Sequence, residues 1–266
     1  MRIGLIDVDG HRFPSLPLMK LSAWHKMRAD TVEWVLPLNK GFDIVYIAKV
    51  FDFSPDYQYN VDSDRIIKGG TGYGLESKLP DEVECICPDY RLYPHYSSAY
   101  GFLTRGCPRN CKFCIVSQKE GTNSKKVADL SDFWKGQKEI KLLDPNFLAC
   151  PDCGRLLEQL IQSGAWVDFT QGLDIRLMSP ELVDVFMACR IKSFHFAWDQ
   201  EKDSDLICRK LKEFKRHSRF DERKAHVYVL INYDTSMDFD LYRVYTLKRL
   251  VLTSVNEGTR KVDIKQ

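Results

Sequence analysis

Apolar residues come in short runs broken by polar turns, and the spacing of those runs divides the chain. Arg2–Val8 reads as a buried strand, Leu18–Met27 as a helix, and Thr31–Leu36, Asp43–Val50 and Asp64–Lys68 as further strands. This alternation over residues 1–80 predicts a small parallel sheet of Rossmann type. Gly69-Gly-Thr-Gly-Tyr-Gly74 follows the last of these strands. Its glycines either make a tight turn or bring the backbone close to a ligand, and the turn is the favoured reading.

Residues 81–97 read as a linker, and from residue 98 the pattern becomes strand then helix, repeated. Ala99–Leu103, Glu139–Leu143, Trp166–Thr170, Ser193–Ala197 and His226–Ile231 are the strands. Among the helices, Arg155–Ser163 sets Leu156, Leu157, Leu160 and Ile161 on one side and stops at Gly164. Ser179-Pro180-Glu181 opens the next, with a capping serine and a proline where the missing N–H costs nothing. Asp205–His217 and Asp240–Leu250 follow. The expected fold class is therefore α/β, a closed or partial parallel (βα) barrel over 98–250 behind a small Rossmann-like domain, with chemistry at the carboxyl ends of the strands. Val251–Val255 has no turn signal before it. It is either a poor last strand or a sign that the final unit is missing, and 251–266 forms an atypical carboxyl-terminal tail.

Composition narrows the class. At 266 residues and 44% hydrophobic, the chain can bury one large core or two modest ones. Lys plus Arg at 39 against Asp plus Glu at 37 argues against an extended nucleic-acid surface. The densest basic run, Arg209, Lys210, Lys212, Lys215, Arg216 and Arg219, has the spacing of a solvated helix face. Met1–Asp9 is too short and too soon charged for a leader, and no long apolar span follows, so a reducing cytoplasm is expected for the nine cysteines.

Three of those cysteines carry the chemistry. Gly106-Cys-Pro-Arg-Asn-Cys-Lys-Phe-Cys-Ile115 places Cys107, Cys111 and Cys114 at C-x3-C-x2-C spacing. Pro108 blocks an early helix and Asn110 tolerates unusual backbone angles, so the loop can curl its sulfurs around a compact object. A cubane iron–sulfur cluster has four irons, so three thiolates leave one iron open to a ligand that is not protein. Such a cluster is anionic, and Arg105, Arg109 and Lys112 are cations in or beside the loop. Zinc is the competing reading, although structural zinc usually takes two separated cysteine pairs and closes all four positions.

With Phe113 just before the last cysteine, the triplet resembles the signature of the radical S-adenosylmethionine (radical SAM) enzymes, and the order of elements extends the resemblance to about residues 98–250. The resemblance implies a partial barrel, a 4Fe-4S cluster on Cys107, Cys111 and Cys114, and S-adenosylmethionine chelated by the open iron. It further implies reductive cleavage to a 5′-deoxyadenosyl radical. Phe113 would lie near the adenine. Asp144 and Asn146, after the second barrel strand, stand where the family contacts the methionyl amino group. Arg176, after the third, could pair with the carboxylate. A reductant protein such as flavodoxin or ferredoxin would be the partner, with neither membrane nor nucleic acid indicated. The alternative is a non-catalytic iron–sulfur protein, an electron carrier or the remnant of a truncated enzyme.

The amino-terminal region resembles the cobalamin-binding domain found ahead of many such barrels. Asp9-Gly10-His11 matches the start of a D-x-H-x-x-G motif, but Pro14 stands where its glycine belongs, so a scaffold or substrate cover is expected rather than a cobalt site. Cys85-x-Cys87 and Cys150-x2-Cys153 could form a second metal site if folding joins the pairs, or remain unlinked thiols. Cys189 and Cys208 read as ordinary thiols.

Overall fold

The apolar run Ile3-Gly-Leu-Ile6 is buried throughout because its strand, β1 (Arg2–Asp7), is central in a parallel sheet. The computed structural model describes residues 1–10, 13–219, 221, 224–250 and 253–257, the last of these as backbone. β1 pairs with β2 (Thr31–Trp34) on one side and β3 (Phe42–Ala48) on the other. Beyond β3 lies β4 (Ser63–Gly69), giving the order β2-β1-β3-β4. The helix α1 (Leu16–Met27) starts two residues before the predicted position because Pro17 fits its first turn, and it packs Leu18, Met19 and Leu21 with Ile3 and Leu5. The Gly69–Gly74 run makes a tight turn. Gly70 has φ +100°, and a Cβ there would come within 2.2 Å of the Lys49 carbonyl oxygen, which also accepts from Gly72 N–H at 3.0 Å.

Residues 81–97 are fastened to both halves of the chain. They hold α2 (Asp81–Glu84) and a helical turn at Tyr90–Leu92. Tyr93 donates its hydroxyl to Asp7 at 2.6 Å, and Asp89 accepts from Ser22 at 2.7 Å. Tyr90 donates to the Phe133 carbonyl at 2.8 Å and packs against both hydrophobic cores.

The second half is a series of parallel strands with helices between them. β5 (Ala99–Gly101) leads into β6 (Thr104–Arg105), α3 (Val116–Glu120) and β7 (Lys125–Lys126); β6 and β7 form a short antiparallel pair that periodicity could not reveal. Then come β8 (Glu139–Leu142), α4 (Cys153–Ser163), β9 (Trp166–Phe169), α5 (Pro180–Ala188), β10 (Phe194–Ala197), α6 (Ser204–His217), β11 (Ala225–Leu230), α7 (Met237–Arg249) and β12 (Thr253–Glu257). The strands form two parallel sheets, β5-β8-β9 and β10-β11-β12. Val167 links them, donating to the Arg190 carbonyl at 2.8 Å and accepting from Lys192 N–H at 2.9 Å.

Strand alternation sets the core. Ile140, Leu142, Val167, Phe169, Phe194, Phe196, Val227 and Val229 share one buried cluster with Leu156, Leu160, Phe186, Leu211 and Phe214 of the helices. The stops and caps are as expected: Gly164 ends α4 at φ +63°, and Ser179 accepts from Leu182 N–H at 3.2 Å to start α5. α6 buries Ile207, Leu211 and Phe214 and leaves Arg209, Lys212, Lys215 and Arg216 in solvent, a solvated basic face. The reading of a missing last unit is corrected. After α7 the chain returns as β12, paired in parallel with β11 from Thr253 to Glu257, where β-branched Thr253 and Val255 favour extended backbone. Residues 251–252 and 258–266 lie outside the described residues. Among the described residues no helix is long and apolar enough to cross a membrane.

Candidate functional site

The antiparallel pair β6–β7 brackets the cysteine loop and brings its two ends together. Gly106 opens the loop at φ +89°, where a Cβ would approach the Asn123 carbonyl oxygen to 2.2 Å, so only glycine fits. Inside, Asn110 adopts φ +45°, Cys114 N–H donates to the Cys111 carbonyl at 3.0 Å, and Cys107 N–H donates to Gly121 at 3.1 Å. The three thiols are partly buried. Burial pushes the Cys111 thiol up, and the neighbouring Cys107 and Cys114 push it further. Among the described residues no three His, Cys, Asp or Glu side chains gather tightly around a single point.

Two carboxylates organise what surrounds the loop. Asp144 accepts from Leu103 N–H at 3.2 Å, from Thr104 N–H at 2.6 Å and from the Thr104 hydroxyl at 2.7 Å. It thereby ties the end of β8 to the chain entering the loop. Asp174 is paired with Arg109 of the loop and, at 2.7 Å, with Arg176; Arg176 also pairs with Asp203. Burial would raise Asp174, but Arg176 and Arg109 outweigh it and hold the carboxyl below its usual range. Of the three cations read from the sequence, Arg109 is thus neutralised by Asp174, and Arg105 by Glu84 and Glu120 at 2.8 Å each. Lys119 of α3 donates to the Ser77 carbonyl at 3.1 Å, so the loop's exit is fastened to the amino-terminal half.

The structure brings Asn146 to the thiols as well. Its amide Nδ2 donates to Cys107 Sγ at 3.5 Å and lies 3.4 Å from Asp174 Oδ2, while its Oδ1 is buried and has no hydrogen-bond partner. Gln200, after β10, donates to Cys111 Sγ at 3.9 Å. Phe113 is 39% exposed and meets Tyr233 edge to face at 5.3 Å between centroids, so its ring stands at the rim. The sequence named Asp144, Asn146, Arg176 and Phe113. It did not single out Asp174, Arg109 or Gln200 as partners, although Asp174-Ile-Arg176 and Arg109 were both visible as charges.

Asp144 yields a pH prediction. Burial raises its carboxyl from 3.8 to about 6, against the hydrogen bonds that lower it. A raised acid favours the protonated folded state, so this group's contribution is full below about pH 4 and is lost as pH rises through about 6. The amount is about 3 kcal/mol. Urea unfolding of the wild type and Asp144→Asn at pH 4.5 and pH 7 should show a stability fall of about 2 kcal/mol in the wild type that the variant lacks. Parallel pH profiles would remove the assignment.

The other cysteines occupy separate surroundings. Cys87 is pushed up by burial and feels Lys135, Asp132 and Lys20, whereas Cys150 is pushed up by burial and feels Asp152 and Asp144. Cys189 is buried and Cys208 partly so. His11 of the cobalamin-like motif lies outside the described residues. Compared with protein-family models and with characterised proteins, the chain matches none.

Proposed function

We propose that the chain is a radical SAM enzyme, with β5, β8, β9, β10, β11 and β12 as the strands of its partial barrel. The observation that carries this reading is the pairing of three thiols in one curled loop with a buried, unpartnered acceptor, Asn146 Oδ1, beside Cys107. Three thiolates leave one iron of a cubane open, and the ligand of that iron must bring a donor for any buried acceptor it meets. An amino-acid ammonium does so. When bound, the cluster supplies the electron that cleaves the sulfonium of S-adenosylmethionine, generating the 5′-deoxyadenosyl radical that takes hydrogen from a substrate.

The chain's own residues then have distinct tasks. Cys107, Cys111 and Cys114 hold the cluster, and Asp144 holds the backbone at 103–104 from which the loop departs. Asn146 accepts from the methionyl ammonium. Arg176, already braced by Asp174 and Asp203, keeps guanidinium N–H groups for a carboxylate. Phe113 offers an apolar ring face to adenine, supported by Tyr233. A flavodoxin- or ferredoxin-like protein would deliver the electron.

The test is 5′-deoxyadenosine formation by anaerobically reconstituted protein under strong reductant. Phe113→Ala should keep the cluster's iron content and weaken S-adenosylmethionine binding by about 1 kcal/mol, roughly fivefold. A complete cluster in the wild type with no S-adenosylmethionine binding would turn the reading to a non-catalytic iron–sulfur protein.

A further inference from the structure

Strand register aligns a row of polar side chains across the face opposite the hydrophobic core. Tyr100 pairs with Lys141 and Lys141 with Asp168 across β5, β8 and β9; His195 pairs with His226 across β10 and β11. His195 Nε2 stands 3.9 Å from Asp168 Oδ1, which joins the two sets. Lys141, Asp168, His195 and His226 are each flanked in their own strands by two core residues, and Tyr100 by core Ala99, so the row points the other way.

Within the row, His195 is fully engaged, with Ser193 Oγ at 2.7 Å on one ring nitrogen and the Tyr228 hydroxyl at 3.1 Å on the other. Its ring stacks near those of His226 and Tyr228, at 5.3 and 5.6 Å between centroids, which makes it a strut. The members beside it are not engaged in this way. Asp168 Oδ1 and His226 Nδ1 are shielded from solvent and make no hydrogen bond within the described chain. Lys141 is adjacent to Asp168 in register, yet among the described residues it makes no ion pair; its ammonium sits over the Tyr96 ring at 5.5 Å.

Lys141 and Asp168 stand side by side on neighbouring strands without pairing with each other, so the row offers a cation and an anion that one zwitterion can bridge. We propose that this row binds the α-amino-acid end of a small-molecule substrate, its carboxylate on Lys141 and its ammonium on Asp168, with His226 contacting what lies beyond. This rests on the radical SAM reading for the word substrate. The row is distinct from the residues proposed for S-adenosylmethionine: Lys141 lies within β8 and Asp168 within β9, whereas Asp144, Asn146 and Arg176 come after those strands end.

The probe is a mixture of the common L-amino acids, observed by saturation-transfer NMR on the full chain, with the N-acetyl and methyl-ester derivatives of each amino acid that binds. At least one zwitterion should bind the wild type, and removing either of its charges should weaken it at least tenfold. Lys141→Met and Asp168→Asn should each do the same, with unchanged circular dichroism. Binding of S-adenosylmethionine to the reconstituted protein is measured on the same variants. No amino acid bound by the wild type, or binding untouched by both substitutions, overturns the proposal. So does loss of amino acid and S-adenosylmethionine together, which would give the row to the cofactor. Amino-acid binding that follows the expected pattern in a protein that never binds S-adenosylmethionine would support the site and overturn the enzyme reading instead.

Discussion

Replacing any one of Cys107, Cys111 and Cys114 by alanine is expected to take the reconstituted protein from about four irons and four sulfides per chain to less than about one. 5′-Deoxyadenosine formation should fall to background. On the proposed reading the effect is all or none, because each thiol would supply one corner of the same cluster. The groups beside the thiols are the Asn146 and Gln200 amides, which donate toward sulfur. The Asp174 carboxylate is committed to Arg109 and Arg176. Assembly requires thiolates, so reconstitution of the wild type should also be more complete at pH 8.5 than at pH 7. Cys189→Ala and Cys208→Ala serve as controls that keep the full count. Iron and sulfide analysis with the visible absorption spectrum reads the outcome. A full cluster in all three variants would sink the assignment. Iron beyond four that disappears in Cys153→Ala would reveal a second site involving the other cysteine pairs.

What could be read from the sequence was whatever depends on local spacing. Apolar runs placed the strands of both halves to within one or two residues, because β1 is buried along its centre, β3 is buried at most of its positions, and β8 to β11 alternate strictly. The loop was legible for the same reason: Asn110 announces an unusual backbone angle, and it adopts φ +45°. Register and partner choice were not legible. Glu139–Leu142, Trp166–Phe169 and Ala225–Leu230 each declare a polar face, but only the pairing across strands aligns Lys141 with Asp168. Asp144 illustrates the second difficulty. A carboxylate after a strand can meet a ligand or a backbone N–H, and here it spends its acceptors on residues 103 and 104. Arg176 was readable as a cation awaiting a carboxylate; the carboxylates it meets within the chain are Asp174 and Asp203. The return of the chain as β12 was obscured because the expected glycine turn is absent from Val251–Val255, although its β-branched residues were in view.

Arg243→Met is expected to destabilise the fold by about 3–5 kcal/mol, a large part of the total stability of a domain. Arg243 is fully buried. It donates to the Trp198 carbonyl at 2.6 Å and to the Leu230 carbonyl at 2.7 Å, and it pairs with Asp240 three residues earlier on α7. Asp240 accepts in addition from Asn232 N–H at 3.0 Å and the Thr235 hydroxyl at 2.7 Å. One guanidinium therefore clamps the carboxyl ends of β10 and β11, and the loop between β11 and α7, to a single helix. Methionine fills much of the space but leaves a buried carboxylate without its cation and two carbonyls without a donor. The double variant Arg243→Met with Asp240→Asn removes the uncompensated charge, and it should recover about 1–3 kcal/mol of the loss. The clamp also bears on the site, because Asp199 and Gln200 directly follow Trp198 and Gln200 reaches Cys111. Iron loading should accordingly be lower in Arg243→Met than in the double variant at a temperature where both are folded. Urea unfolding monitored by tryptophan fluorescence gives the stabilities. A loss below about 1 kcal/mol in Arg243→Met would mean that the strand ends hold themselves, and the clamp would then have no part in shaping the site.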